Sequence, residues 1–112
     1  MINATDTTSY TWFENLAGMM ADIQPESIIS RTIYKDAQVN VSLFGFAAGQ
    51  SLSEHTAAQP ALIHILQGEG TLTLGDDVKQ VQAGSWVRMP AHLKHSLVAK
   101  TPLTMLLILL KS

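Results

Sequence analysis

The feature that most constrains the fold of this 112-residue chain is a series of short aliphatic and β-branched runs separated by turn residues. Runs of this length and composition, each ended by glycine, proline or aspartate, are typical of β-strands. Helical periodicity is almost absent, so the pattern predicts a single all-β domain, a sandwich or barrel. The predicted strands occupy residues 27–34, 39–46, 61–67, 70–75, 78–82, 85–89, 95–99 and 103–110.

One segment near the N-terminus departs from this pattern. Residues 10–21 predict a short helix, weakened by Gly18, and Pro25 ends the segment. We therefore expect an N-terminal extension with a short helix over residues 1–26 and a β-barrel over residues 27–112.

The last predicted strand, residues 103–110, is aliphatic at nearly every position. Eight residues are too few to span a membrane as a helix, which takes roughly 20. A short run without alternation instead indicates a strand buried on both faces. Something must then cover its outer face, either the N-terminal segment or a partner subunit, and we expect a symmetric homodimer.

Composition and charge exclude several classes of function. Hydrophobic residues make up 46% of the chain and charged residues 14%, which is typical of a folded globular protein. Seven scattered lysines and arginines against nine acidic residues provide no basic surface for nucleic acid. No cysteine is present, so disulfides and thiolate metal ligands are excluded. The polar N-terminus lacks the features of a signal peptide, and we expect a cytoplasmic protein without membrane contact.

Two motifs, each with glycine, histidine or proline at fixed spacing, resemble those of a known family. The first has the form Gly, five residues, His, and a later Gly, and the second has Gly, five residues, Pro, and a later His. These motifs resemble the paired motifs of the cupin family, and the resemblance covers residues 39–110. It implies a cupin-type β-barrel, a double-stranded β-helix with jelly-roll-like topology. The matching positions are Gly49, His55, Gly68, Gly84, Pro90 and His95.

The resemblance also implies a metal site, but only part of the ligand set is present. The family holds its metal with three histidines and a glutamate, and here Ala57 and Ala61 replace one histidine and the glutamate. The two remaining candidates, His55 and His95, are expected to converge inside one mouth of the barrel, with Gln59 as an additional contact. Two imidazoles without a carboxylate favour zinc, nickel or copper over iron, or no metal at all.

The two alanines also have a consequence for the size of the cavity. Methyl groups in place of large polar side chains leave a wider and more apolar cavity, suited to a small organic ligand. Aromatic and sulfur-containing side chains on neighbouring strands could line it, although packing in the core is the alternative for each. The predicted ligand-contact residues are Phe44, Phe46, Gln59, Trp86 and Met89.

The other two histidines are assigned away from the site. His92 occupies the position of a family turn glycine, where histidine tolerates left-handed backbone better than bulkier residues do. His64 alternates with Ile63 and Ile65, so it points outward if those two face the barrel interior.

Three functions are compatible with this pattern. The one we favour is a small binding module that holds an unknown small molecule and a weakly bound divalent metal, or no metal. The alternative is a metal-dependent enzyme of the isomerase, decarboxylase or dioxygenase type, acting on a small carbonyl, sugar or acid substrate. The third is a structural dimer whose cavity has no function.

Overall fold

The computed structural model describes residues 9–111. Residues 1–8 of the predicted N-terminal extension and Ser112 lie outside the described residues. No helix between residues 9 and 111 has the length and apolar composition needed to cross a membrane. The described chain forms a 3₁₀ helix at Ala17–Met20 and the strands β1 (Ile28–Lys35), β2 (Val39–Phe46), β3 (Ser51–His55), β4 (Ala61–Gln67), β5 (Glu69–Leu74), β6 (Asp77–Gln82), β7 (Trp86–Met89), β8 (His95–Ala99) and β9 (Leu103–Leu110).

The strands form two antiparallel sheets. One sheet has five strands in the order β1-β2-β9-β4-β7, and the other has four in the order β3-β8-β5-β6. The main hydrophobic core lies between them, because its buried side chains come from both sheets. This arrangement confirms the predicted all-β, cupin-type fold. Core residues include Phe46, Ile65, Leu103 and Met105 from the first sheet and Leu72 and Leu97 from the second.

The apolar runs predicted most of the strands accurately. Strands β2, β4, β8 and β9 begin and end at the predicted residues. Strands β6 and β7 differ by one residue at their start, and β1 and β5 differ by one residue at both ends. Strand β3 was not predicted, because its sequence SLSEH contains a single apolar residue, Leu52, and its other side chains are exposed. The pairing of β3 with β8 is also irregular between Leu52 and His55.

The predicted helix over residues 10–21 is wrong in extent. Only Ala17–Met20 is helical, as a four-residue 3₁₀ helix. The side-chain Oδ1 of Asn15 accepts a hydrogen bond from the backbone N–H of Gly18 at 3.1 Å. This local bond competes with regular helical hydrogen bonding, and glycine disfavours a longer helix.

The N-terminal segment instead covers the outer face of the five-stranded sheet. Met20 is 6% exposed and packs with Leu43 and Leu106 in a second hydrophobic cluster. A Cβ atom on Gly45 would lie 2.7 Å from Cγ of Met20, so the glycine permits this close approach. Strand β9 is consequently buried on both faces at Leu103–Leu106, as its aliphatic sequence predicted.

Candidate functional site

The two candidate ligand histidines lie side by side on the inner face of the four-stranded sheet. His55 on β3 is directly opposite His95 on β8. Their ring centroids are 4.1 Å apart, with an angle of 58° between the ring planes. His95 is 7% exposed and alternates with the buried Leu97 and Ala99, so the pair faces the barrel interior. His55 is exposed, which places the pair at a mouth of the barrel.

Both histidines are held by the same kind of hydrogen bond. Nδ1 of His55 lies 2.7 Å from the carbonyl oxygen of Ser53, and Nδ1 of His95 lies 2.9 Å from that of Leu93. A carbonyl oxygen only accepts hydrogen bonds, so each Nδ1 must carry the proton. In the neutral ring Nε2 is then an unprotonated acceptor, the form in which imidazole binds a donor group or a metal ion.

The rest of the family ligand set is absent from this mouth. Ala61, at the glutamate position, is 2% exposed and lies on the inner face of β4 with Ile63 and Ile65. Within residues 9–111, no group of three or more His, Cys, Asp or Glu side chains is placed to hold a metal ion. The donors available from these side chains therefore do not fit a four-ligand metal centre held by the protein alone.

Asn40 adds a polar group that sequence reasoning missed. Along the five-stranded sheet Asn40 is opposite Leu109, which is opposite Ala61, so these side chains share the inner face. Its Oδ1 is buried and has no hydrogen-bond partner among the described residues. The sequence did contain a sign that this side chain points inward, because Asn40 alternates along β2 in phase with Phe44 and Phe46. A buried acceptor without a partner is rare and marks a position where a ligand or water can donate a hydrogen bond.

A cavity of about 320 Å³ lies between the edges of the two sheets, beside the histidine pair. It opens between β6 and β7, the edge strands of different sheets, which are not paired with each other. Leu74 lines the cavity and is directly opposite His95 in the β5–β8 pairing. The cavity is at the lower end of the range for small-molecule sites, roughly 300–1,000 Å³. Its walls are Ile63, Ile65, Leu72, Leu74, Val81 and Val87, with Lys79, Gln80, Ser85 and Trp86 at the rim.

The residues predicted to contact a ligand are dispersed. Phe46 and Met89 are 0% and 1% exposed and belong to the packed core, where Phe44 stacks on Phe46 at a centroid distance of 6.2 Å. Trp86 is 61% exposed, opposite His64, and reaches the cavity from its rim. Gln59 is exposed in the loop between β3 and β4. The cavity is thus lined mainly by aliphatic residues, which the sequence pattern does not distinguish from ordinary core.

The remaining histidines adopt the positions predicted for them. His92 has a left-handed backbone with φ of 69°, and its N–H donates to the carbonyl of Ala57 at 2.8 Å. His64 lies on β4 between the buried Ile63 and Ile65 and therefore on the opposite face of the sheet. Neither side chain belongs to the inner histidine pair.

Comparison with known proteins gives a consistent result. The family model described as "Cupin domain" matches residues 42–109. A cupin superfamily protein from Desulfitobacterium hafniense is 31% identical, with a TM-score of 0.81, over 87% of this chain and 88% of that one. A cupin 2 conserved barrel domain protein from Leptotrichia buccalis is 32% identical, with a TM-score of 0.79, over 87% of this chain and 47% of that one. A conserved protein of unknown function from Streptococcus pyogenes is 24% identical, with a TM-score of 0.79, over 98% of both chains. No curated protein matches the sequence.

Proposed function

This chain belongs to the cupin family, and from that premise we propose that it is a binding protein that holds a small molecule in its barrel. Because this fold carries many unrelated chemistries, the proposal depends on the site rather than on the family. The observation that carries it is the apolar cavity between β6 and β7, which adjoins the histidine pair through Leu74. A concave apolar site with a few polar groups nearby is the usual form of a small-molecule site.

The histidine pair supplies the polar end of this site. Each Nε2 is free to accept a hydrogen bond, because each Nδ1 proton is donated to a backbone carbonyl. Those two bonds also fix the ring orientations before a ligand arrives, which lowers the entropy cost of binding. A ligand group that donates N–H or O–H bonds suits His55 and His95.

A metal-dependent enzyme is the less well supported alternative. Isomerase, decarboxylase or dioxygenase chemistry in this family would use a metal centre. The described residues offer two imidazoles and no carboxylate in a suitable cluster. Non-haem iron oxygenases use two histidines and a carboxylate, and a methyl group occupies the position of that carboxylate here, at Ala61.

The binding proposal is tested with a pair of matched valine substitutions. Val87 lines the cavity, whereas Val98 is 47% exposed on the outer face of the other sheet. A metabolite that stabilises the wild-type protein in a thermal-shift screen should lose its effect in Val87→Phe and keep it in Val98→Phe. At a ligand concentration of 100 Kd the stabilisation is about 2.7 kcal/mol. Equal stabilisation of both variants by the metabolite would show that it binds outside this cavity. Circular dichroism of Val87→Phe checks that the variant is folded.

A divalent transition metal is a second candidate ligand, favoured by the unprotonated Nε2 atoms of the histidine pair. Zinc, nickel or copper suits two imidazoles better than iron does. His55 and His95 would hold such an ion weakly, and Gln59, water or the small molecule would supply further donors. Metal content is measured in protein purified without chelators or an affinity tag, beside the His55→Ala/His95→Ala double variant. Equal and negligible metal in both proteins would exclude this site.

A cytoplasmic location stays a prediction.

A further inference from the structure

The cavity between β6 and β7 carries a cation at its rim. Lys79 is directly opposite Leu72 in the β5–β6 pairing, so its side chain leaves the sheet on the inner face. Leu72 is 2% exposed and lines the same cavity. Lys79 forms no ion pair or hydrogen bond with any other residue between 9 and 111. The ammonium group therefore has its charge available to a ligand.

A second side chain at the rim, that of Ser85, is also a hydrogen-bond donor. Oγ of Ser85 accepts a bond from the backbone N–H of Gln82 at 3.0 Å, which leaves the hydroxyl proton to donate. The side chain of Gln80 is not such a donor, because it pairs with Thr71 on the outer face of the sheet, where its Oε1 accepts a bond from the Thr71 hydroxyl at 3.1 Å. Ser85 lines the cavity with Lys79. A hydroxyl donor near one positive charge matches an anionic acceptor.

One acidic residue near the rim partly offsets the positive charge of Lys79. Asp77 is opposite Leu74 and lies two residues from Lys79 on the same face of β6. Its side chain does not line the cavity. Asp77 therefore reduces the positive potential at the rim without occupying the site, and removing its charge should strengthen the binding of an anion.

We propose that the cavity binds a small carboxylate with an apolar body, such as a short branched chain or a single ring. The body packs against Ile63, Ile65, Leu72 and Val87, and the carboxylate lies between the β6 and β7 edges, where Lys79 and Ser85 donate to it. This inference rests on the proposed function and specifies its ligand class. Apolar burial provides affinity, and the donors at the rim select the carboxylate over uncharged molecules.

The test compares acids with uncharged molecules of the same shape. Phenylacetate and hexanoate are titrated into ¹⁵N-labelled protein beside phenylacetamide and hexanamide, and binding is followed by NMR. We expect each acid to bind about tenfold more tightly than its amide, a preference expected of a charge-assisted hydrogen bond. Lys79→Gln should remove the preference and leave the amide affinity unchanged. Asp77→Asn should increase the preference, and added salt should reduce it.

Lys35→Gln is the matched control, because Lys35 is an exposed lysine on β1 in the other sheet. It should leave the binding of the acids unchanged. Equal affinity for acid and amide, or a preference that persists in Lys79→Gln, would overturn the carboxylate proposal and leave the proposed function intact. Failure of all four compounds to shift residues of the cavity would also overturn the carboxylate proposal, and the thermal-shift screen with Val87→Phe then decides the proposed function separately.

Discussion

At the scale of single residues, two glycines at family positions differ in what they require of their surroundings. Gly68 has φ of 89°, and a Cβ atom there would lie 2.7 Å from the Cα of Leu103. Gly84 has φ of 97°, and nothing lies within 4 Å of the place where its Cβ would be. Both positions need left-handed backbone, but only Gly68 also needs the space of the missing side chain.

This difference predicts unequal effects of alanine. Gly84→Ala should lower the free energy of unfolding by about 1–2 kcal/mol, the cost of left-handed backbone for an L-residue. Gly68→Ala should cost roughly 1–3 kcal/mol more, because backbone atoms around Pro102 and Leu103 would have to move. Urea unfolding of both variants measures the difference. Equal losses of unfolding free energy in the two variants would show that the backbone at Leu103 moves at little cost. The short distance between Gly68 and Leu103 would then not constrain this turn.

The sequence predicted the conformations of anchor residues better than the contents of the cavity. His92 was assigned left-handed backbone from its position in the motif, and its φ is 69°. The pairing of His55 with His95 followed from the resemblance, since forty residues separate them in the chain. Asn40 was missed although it alternates in phase with Phe44 and Phe46, because a polar residue is unusual on the core face of a strand. The inward direction of Lys79 is established by its pairing with Leu72 in the folded protein.

At the scale of elements, aliphatic strands were predicted well and segments held by few local contacts were not. Strand β9 pairs with both β2 and β4, so its apolar sequence and its central position agree. The described part of the N-terminal segment, residues 9–26, lies outside both sheets and has no such ladder of hydrogen bonds. Its position depends on Met20 packing against Leu43 and Leu106, residues distant in sequence, and a propensity argument therefore overestimated its helix.

The turn between β1 and β2 is held by one carboxylate. Oδ1 of Asp36 accepts bonds from the N–H groups of Gln38 and Val39 at 2.7 and 2.9 Å, and the hydroxyl of Tyr34 donates to Oδ2 at 2.7 Å. These bonds, that of Tyr34 foremost, hold the pKa of Asp36 below its usual value of 3.8. The same bond to the carboxylate raises the pKa of Tyr34 above 10.0. The backbone carbonyl of Asp36 also accepts from Nζ of Lys111, which ties the turn to the C-terminal end.

Replacement of this carboxylate should change how stability depends on pH. The lowered pKa means that Asp36 stabilises the fold above its unfolded value near 3.8 and that this contribution is lost as the pH falls through the folded value. The raised pKa of Tyr34 means that its contribution is present below 10.0 and is lost as the pH rises through the folded value. Asp36→Asn should therefore melt at a lower temperature than the wild type near neutral pH. The difference in melting temperature between Asp36→Asn and the wild type should become smaller at both low and high pH.

The matched control for this turn is Asp76→Asn in the turn between β5 and β6. Asp76 is exposed, and no hydrogen bond or ion pair joins it to another described residue. Its replacement should leave the melting temperature unchanged from acid to alkaline pH. A constant difference between Asp36→Asn and the wild type across the whole range would contradict the assigned role of the carboxylate.

At the scale of the whole molecule, the two outer faces of the barrel differ in polarity. The outer face of the four-stranded sheet carries polar side chains such as Thr71 and Gln80, which hydrogen-bond each other. The outer face of the five-stranded sheet is mainly aliphatic, with His64 and Arg88 as polar exceptions near β7. The N-terminal segment packs on the part around Leu43 and Leu106. Beyond that part, Trp86 is 61% exposed on the edge strand β7. An aliphatic face continued by an exposed tryptophan is typical of a surface that contacts another protein.

We propose that a second copy of the chain packs on this face in a symmetric homodimer, in which Trp86 of each copy contacts the other. In an isologous interface one substitution acts twice, so a charge at Trp86 should be strongly disruptive. Light scattering at high micromolar concentration should give the mass of a dimer for the wild type and of a monomer for Trp86→Arg, with unchanged circular dichroism. Val98→Arg is the control, because Val98 is 47% exposed on the other outer face, and this variant should remain dimeric. A monomeric wild type, or a dimer that persists in Trp86→Arg, would contradict the proposed interface.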